Sequence, residues 1–160
     1  MKLLGPKSFP ELREIFDMEN SFKDKKCGDG KDTWARGRFE DANKQLGKWC
    51  EVELSHADIL EVKLIWNSEH LGNEELIPPE GLTVLEALQR PAVRTWLRKG
   101  EIFPETHLWL VTETLKETSA IEYGKLTNHH GRLITLDGLH RLLAWGEGGK
   151  TRTLAFVAGL

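Results

Sequence analysis

A chain of 160 residues, 39% hydrophobic and 29% charged, has the balance of one globular domain that can bury a core without disulfides or metal. Its net charge of −3 withholds the bulk electrostatic footprint of a nucleic-acid binder. No apolar run approaches the roughly 18 residues of a membrane span, and the start Met1-Lys2-Leu3-Leu4-Gly5-Pro6 turns polar too soon for a signal peptide, so a cytoplasmic protein with no membrane partner is expected.

Cys27 and Cys50 match no zinc or redox spacing and read as two reduced thiols. Ser8-Phe9-Pro10-Glu11 signals a helix start: Ser as cap, Pro in the first turn, Glu three residues on. This helix is predicted to run to about Asn20. The polar, glycine-containing stretch from Lys23 to Asp32 reads as an exposed loop. Trp34, Ala35, Ala42, Leu46 and Trp49 recur at helical spacing, which predicts a second helix over 33–49, weakened by Gly37 and Gly47. Ser55-His56-Ala57-Asp58 fits the cap of a short helix, whereas the alternation of Val62, Leu64 and Trp66 fits a strand. The two readings stay open.

Residues 67–81 hold Gly72 and Pro78-Pro79 and read as a long loop. Thr83-Val84-Leu85-Glu86 is a second capping box, and Pro91 splits the segment it opens into two short helices, 83–90 and 91–99, stopped by Gly100. His107–Thr112 reads as a strand. Residues 119–131 are irregular. A strand over 132–136, a helix over 139–146 and a strand over 153–157 complete the chain. Strand, helix, strand in one sheet predicts a parallel pair with a right-handed crossover. The expected fold is α+β: one domain over 1–160, with a mostly helical half over 1–100 and a small mixed sheet formed over 101–160 and covered by the helices.

Chemistry concentrates at Asp137-Gly138-Leu139-His140-Arg141, between the apolar run Leu133–Leu136 and the helical run through Trp145. Asp137 can cap the helix. Gly138 permits a tight turn and close approach of a ligand to the backbone. His140 and Arg141 place cations in the first helical turn, where they oppose the helix dipole, and that placement favours a partner anion.

The block from Gly131 to Trp145, with a glycine pair and a closing strand after it, resembles the ParB/sulfiredoxin-like fold over about 30 of the 160 residues. It also resembles small bacterial proteins of unknown function that end in the same D-G-L-H-R block. The resemblance implies a phosphate-binding loop that holds ATP, ADP or CTP, with His140 and Arg141 as the phosphate-contacting pair. Sulfiredoxin's reactive cysteine is replaced by Leu139, which removes its thiol chemistry. ParB's arginine-rich loop half and DNA-binding helices have no counterpart, so nucleic acid is not an expected partner.

Each residue also has a plainer reading. Asp137 is then a simple cap, and Arg141 a surface ion pair with a carboxylate such as Glu147. His129 and His130 suggest a metal set with Asp137 and His140, but structural or exposed histidines are far commoner, and no metal is assigned. Tyr123, with Glu122 and Lys125, and His130 are candidate ligand contacts in an irregular segment whose plainer reading is an exposed loop. His56, Asp58, Glu69 and His70 are scattered polar residues. Trp109 and Trp145 read as core.

The functional expectation is a small enzyme that binds a nucleotide or phosphorylated small molecule at this turn. Its catalytic candidates are Asp137, His140 and Arg141, its ligand contacts Gly138, Leu139, Tyr123 and His130. ATP, ADP or CTP with magnesium would serve phosphoryl transfer, where Asp137 acts as base or magnesium ligand. One alternative uses Asp137 and His140 as an acid/base pair on a small biosynthetic substrate without nucleotide. Another is a non-catalytic binding or interaction protein whose turn is structural, with Asp137 and Arg141 buried in each other's salt bridge.

Overall fold

Seven strands and six helices succeed one another in the computed structural model, which describes residues 1–26, 33–64, 81–97, 105–116 and 131–160. They are β1 (Lys2–Lys7), α1 (Phe9–Lys26), α2 (Thr33–Gln45), β2 (Trp49–Ser55), α3 (His56–Glu61), β3 (Lys63–Leu64), β4 (Leu82–Thr83), α4 (Val84–Leu88), α5 (Pro91–Trp96), β5 (Leu108–Val111), β6 (Ile134–Asp137), α6 (Leu139–Glu147) and β7 (Arg152–Ala158). The strands form one mixed sheet in the order β1-β2-β7-β5-β6-β3-β4. The fold is α+β, as expected.

Strand alternation sends successive side chains to opposite faces, and both faces are buried. On one, Leu108, Leu110, Ala155 and Val157 meet Ile59, Ala87, Leu88, Leu142 and Leu143 from α3, α4 and α6. On the other, Trp109, Val111, Phe156 and Ala158 meet Leu12, Phe16, Phe39 and Ala42 from α1 and α2. The second core is aromatic: Phe39 stacks on Phe9 and Phe16 and meets Trp109 edge-on, with ring centroids 5.0 Å apart in each pair.

Several expectations are corrected. The sheet is not confined to 101–160, because β1 to β4 come from earlier residues. β1 is an exposed edge strand containing Gly5 and Pro6 with a bulge between Leu3 and Gly5, so its sequence carries no apolar alternation. β3 and β4 have two residues each, too few to show a period. β2 did carry a signal, since Val52 and Leu54 alternate with Glu51 and Glu53.

α1 continues to Lys26, past the predicted Asn20 and into the stretch read as a loop, whose residues 27–32 lie outside the described residues. α2 stops at Gln45 rather than 49 because Gly47 turns left-handed at φ 54°, which releases Trp49 into β2. The segment from Ser55 resolves into both readings: a capping box starts α3, and β3 comes after it. The Thr83 cap forms as expected, its Oγ1 accepting from the Glu86 backbone N–H at 3.1 Å. The expected parallel pair does not form. β5 lies between β6 and β7, antiparallel to β6 and parallel to β7, so the last two strands run in opposite directions. Residues 67–80 and the Gly100 stop lie outside the described residues.

Candidate ligand site at the strand-helix junction

β6 buries Ile134 and Leu136 and delivers Asp137 to the end of the sheet. Gly138 then takes φ 101° and ψ 29° and becomes the first residue of the turn into α6. Glycine is required twice over. The conformation is left-handed, and a Cβ here would sit 2.9 Å from Arg141 Nη2 and 3.1 Å from Leu108 Cδ2. Gly138 occupies the cap position and has no side chain of its own to bond the first-turn amides.

Asp137 ties two helices together. Its Oδ2 lies 3.7 Å from Arg141 Nη2 of α6, and its Oδ1 lies 3.8 Å from Arg38 Nη2 of α2. α6 belongs to one helical layer and α2 to the other, so one carboxylate joins both layers at the end of β6. Arg141 is 8% exposed, and its Nη1 donates to Thr106 Oγ1 and, at 3.0 Å, to the His107 carbonyl. The anticipated pairing with Glu147 is not made, because Glu147 accepts from Arg94. An Arg in a first turn opposes the dipole. Here the offset comes from inside the protein, through Asp137 and two oxygen acceptors.

Arg38 differs. Its Nε is buried and has no hydrogen-bond partner among the described residues. Leu139 is 1% exposed and packs into the core, so only its main chain can meet a ligand. His140 stands half-buried in the first turn of α6. Tyr123 and His130, with His129, Glu122 and Lys125, lie outside the described residues, as do Glu69 and His70. His56 is structural, its Nε2 2.9 Å from the Gly146 carbonyl. So is Asp58, half of the α3 capping box. Trp109 is fully buried core, and Trp145 is half-buried beneath the Lys150 ammonium at 4.7 Å.

A second cluster adjoins the junction. His107 Nδ1 is 2.6 Å from Glu19 Oε1 and its Nε2 is 3.0 Å from Glu51 Oε1, while the ring stacks on Phe156 at 4.0 Å. A neutral imidazole carries one N–H and one bare nitrogen. Carboxylates facing both nitrogens therefore hold the ring as imidazolium. Burial pulls its pKa down, but the hydrogen bonds that it donates to Glu19 and Glu51 outweigh it, and the net shift is upward. Burial raises Glu51, yet His107 and Lys7, the latter 3.3 Å away, bring it below the usual carboxylate range. With both N–H groups committed, His107 serves as a clamp and has no proton to lend. Its carbonyl is the acceptor that holds Arg141.

His107 was legible only as the start of a strand, and Arg38 and Glu19 carried no local signal. Arg38 meets Asp137 from 99 residues away and Glu19 meets His107 from 88, distances no spacing rule covers. Glu51 and Asp137 do share a register row, running Gly5, Glu51, Phe156, Trp109, Asp137 across five strands. Among the described residues no three His, Cys, Asp or Glu side chains converge to hold a metal ion, and no helix is long and apolar enough to cross a membrane.

Fold and site together define an α+β protein with a mixed seven-stranded sheet and an arginine-braced strand-to-helix junction. The chain belongs to DUF6309, a family of unknown function, which it matches over residues 1–160. No curated protein and no solved structure matches it.

Proposed function

We propose that the chain binds a phosphate-bearing small molecule, in the first instance a nucleotide, at the β6–α6 junction. The observation that carries this reading is the convergence of two guanidinium groups beside the start of α6, with Arg38 Nε without an acceptor among the described residues. Phosphate oxygens suit such donors, and a helix N-terminus adds amide dipoles of the same sign. The resemblance of the junction to the ParB/sulfiredoxin-like phosphate loop points the same way.

In this reading Arg38 faces the ligand, His140 is a further donor from the first turn, and Leu139 contributes its backbone. Arg141 is a positioning residue, because Thr106, His107 and Asp137 take up its guanidinium. Asp137 anchors Arg38 and Arg141. The two guanidiniums beside its carboxylate compete with any cation for its oxygens. Phosphoryl transfer is the reaction this placement suits best, since it depends on positioning and charge stabilisation.

Isothermal titration of the full chain with ATP, ADP and CTP, with and without magnesium, is expected to show binding by at least one of them. Arg38→Ala should weaken that binding by about tenfold or more, on the order of 1.5–3 kcal/mol. Absence of heat with all three, at protein concentrations well above micromolar, sinks the proposal.

A second reading rests on the Arg141 contacts, all of which lie within the protein. There the turn is a structural joint of a non-catalytic binding protein. That reading gains if nucleotides give no heat while Arg141→Lys still lowers the melting temperature.

A further inference from the structure

His107, just ahead of β5, joins the carboxylate clamp to the junction within one residue. Glu19 of α1 grips it twice: the carboxylate accepts from the main-chain N–H at 3.2 and 3.1 Å and lies 2.6 Å from ring Nδ1. Glu51 of β2 takes ring Nε2 at 3.0 Å, with Lys7 of β1 behind Glu51 and Glu11 of α1 behind Lys7. From β7 the ring meets Phe156, which carries no charge. Arg152 and Glu105, which line one cavity with His107, are paired with Glu53 and Lys150. On its other side the residue turns its carbonyl to α6, where Arg141 Nη1 donates to it at 3.0 Å.

Tying two carboxylates together does not require a histidine. A lysine or arginine carries a charge that stays fixed over the ordinary pH range. An imidazole makes the tie titratable. When the ring gives one proton to water, one nitrogen becomes a bare lone pair facing a carboxylate. Glu19 holds both the ring and the main chain of His107, so a displaced ring also displaces the peptide that Arg141 uses. Arg141 has little slack. It is 8% exposed, its Nη2 faces Asp137, and the same atom stands 2.9 Å from where a Cβ on Gly138 would be.

We propose that His107 is a positioning residue for the junction: as imidazolium it holds Arg141 beside Asp137, and loss of its proton frees Arg141 and weakens the anion site. The effect on affinity rests on the phosphate reading, whereas the effect on Arg141 is independent of it. By linkage the coupling is reciprocal, so a bound anion raises the His107 pKa.

Two measurements on the full chain test it. Without ligand, ¹³C-detected NMR follows the His107 ring and the two Arg141 Nη signals through an alkaline titration. The Nη signals, held apart by the contacts to Thr106 and His107, are expected to merge at the ring's midpoint as guanidinium rotation is freed. Nη signals that stay separate while the ring titrates overturn the proposal. With ligand, the tightest binder among ATP, ADP and CTP is titrated below and above that midpoint. Affinity should fall about tenfold in the wild-type chain, and His107→Gln should bind weakly at both pH values. Equal affinity on both sides of the midpoint in the wild-type chain overturns the coupling. So does a fall of the same size in His107→Gln, which would assign the effect to His140 or to the ligand's own phosphate. A His107→Gln chain that fails to fold leaves the wild-type spectra decisive. If no nucleotide gives heat at any pH, the phosphate reading alone fails, and the ligand-free spectra still decide whether His107 holds Arg141.

Discussion

Gly138 and Arg141 were adjacent members of one motif in the sequence, and the structure makes them parts of one contact. The guanidinium lies where a Cβ on residue 138 would have to go. Gly138→Ala should therefore cost about 1–3 kcal/mol from the left-handed backbone alone, with displacement of Arg141 added to it. Urea denaturation measures the loss, and a change under about 0.5 kcal/mol would mean that the turn relaxes freely. If the junction binds nucleotide, the same substitution should weaken binding more than its stability cost explains, because it moves Arg141 off Asp137. Asp137 itself changes meaning at this scale. Read in the sequence as a neighbour of the helix start, it pairs in the fold with two arginines from opposite layers.

At the scale of elements, the clamp on His107 joins α1, β2 and the start of β5. Lys7 of β1 extends it, 3.3 Å from Glu51 and 3.4 Å from Glu11. The two shifts set the sign of its pH dependence. His107 is raised above its ordinary 6.5, so its contribution is complete below that value and is lost as pH rises through the higher folded-state pKa. Glu51 is lowered below its ordinary 4.5, so its contribution is complete above that value and is lost as pH falls through the lower folded-state pKa. The clamp is intact between these limits. His107→Gln should thus cost most stability near pH 6, and the gap to the wild-type chain should narrow toward about pH 9. Chemical denaturation at several pH values reads this directly. A gap that stays constant or widens with pH would show that the ring is not held as imidazolium.

At the scale of the whole molecule, both faces of one sheet are covered, and each cover has its own core. Phe39 is the centre of the aromatic one, 2% exposed and in ring contact with Phe9, Phe16, Trp49 and Trp109. Phe39→Ala should cost about 3–5 kcal/mol. Because Asp137 binds arginines from both layers, the loss should spread beyond α2. Near-UV and far-UV circular dichroism should therefore fall in one transition. Two separated transitions would mean that the helical layers unfold independently.

The sequence by itself determined whatever depends on neighbours along the chain. The Ser8 start, the cap at Thr83, the break at Pro91 and the β6–Gly138–α6–β7 succession all rest on spacings of a few residues. So did the recognition that Asp137, Gly138, Leu139, His140 and Arg141 form one turn, and that Leu139 offers no thiol. Tertiary structure decided the rest. It placed β5 between β6 and β7, which reversed the expected parallel pair. It recruited β1 to β4 into a sheet expected only late in the chain. It brought Arg38, Glu19, Glu51 and His107 to the junction. Hydrogen bonds between strands and ion pairs between layers join residues far apart in sequence, and no local period encodes them. The sequence thus marked the place where chemistry gathers, and packing decided that Arg141 braces this place while Arg38 Nε is left without a partner among the described residues.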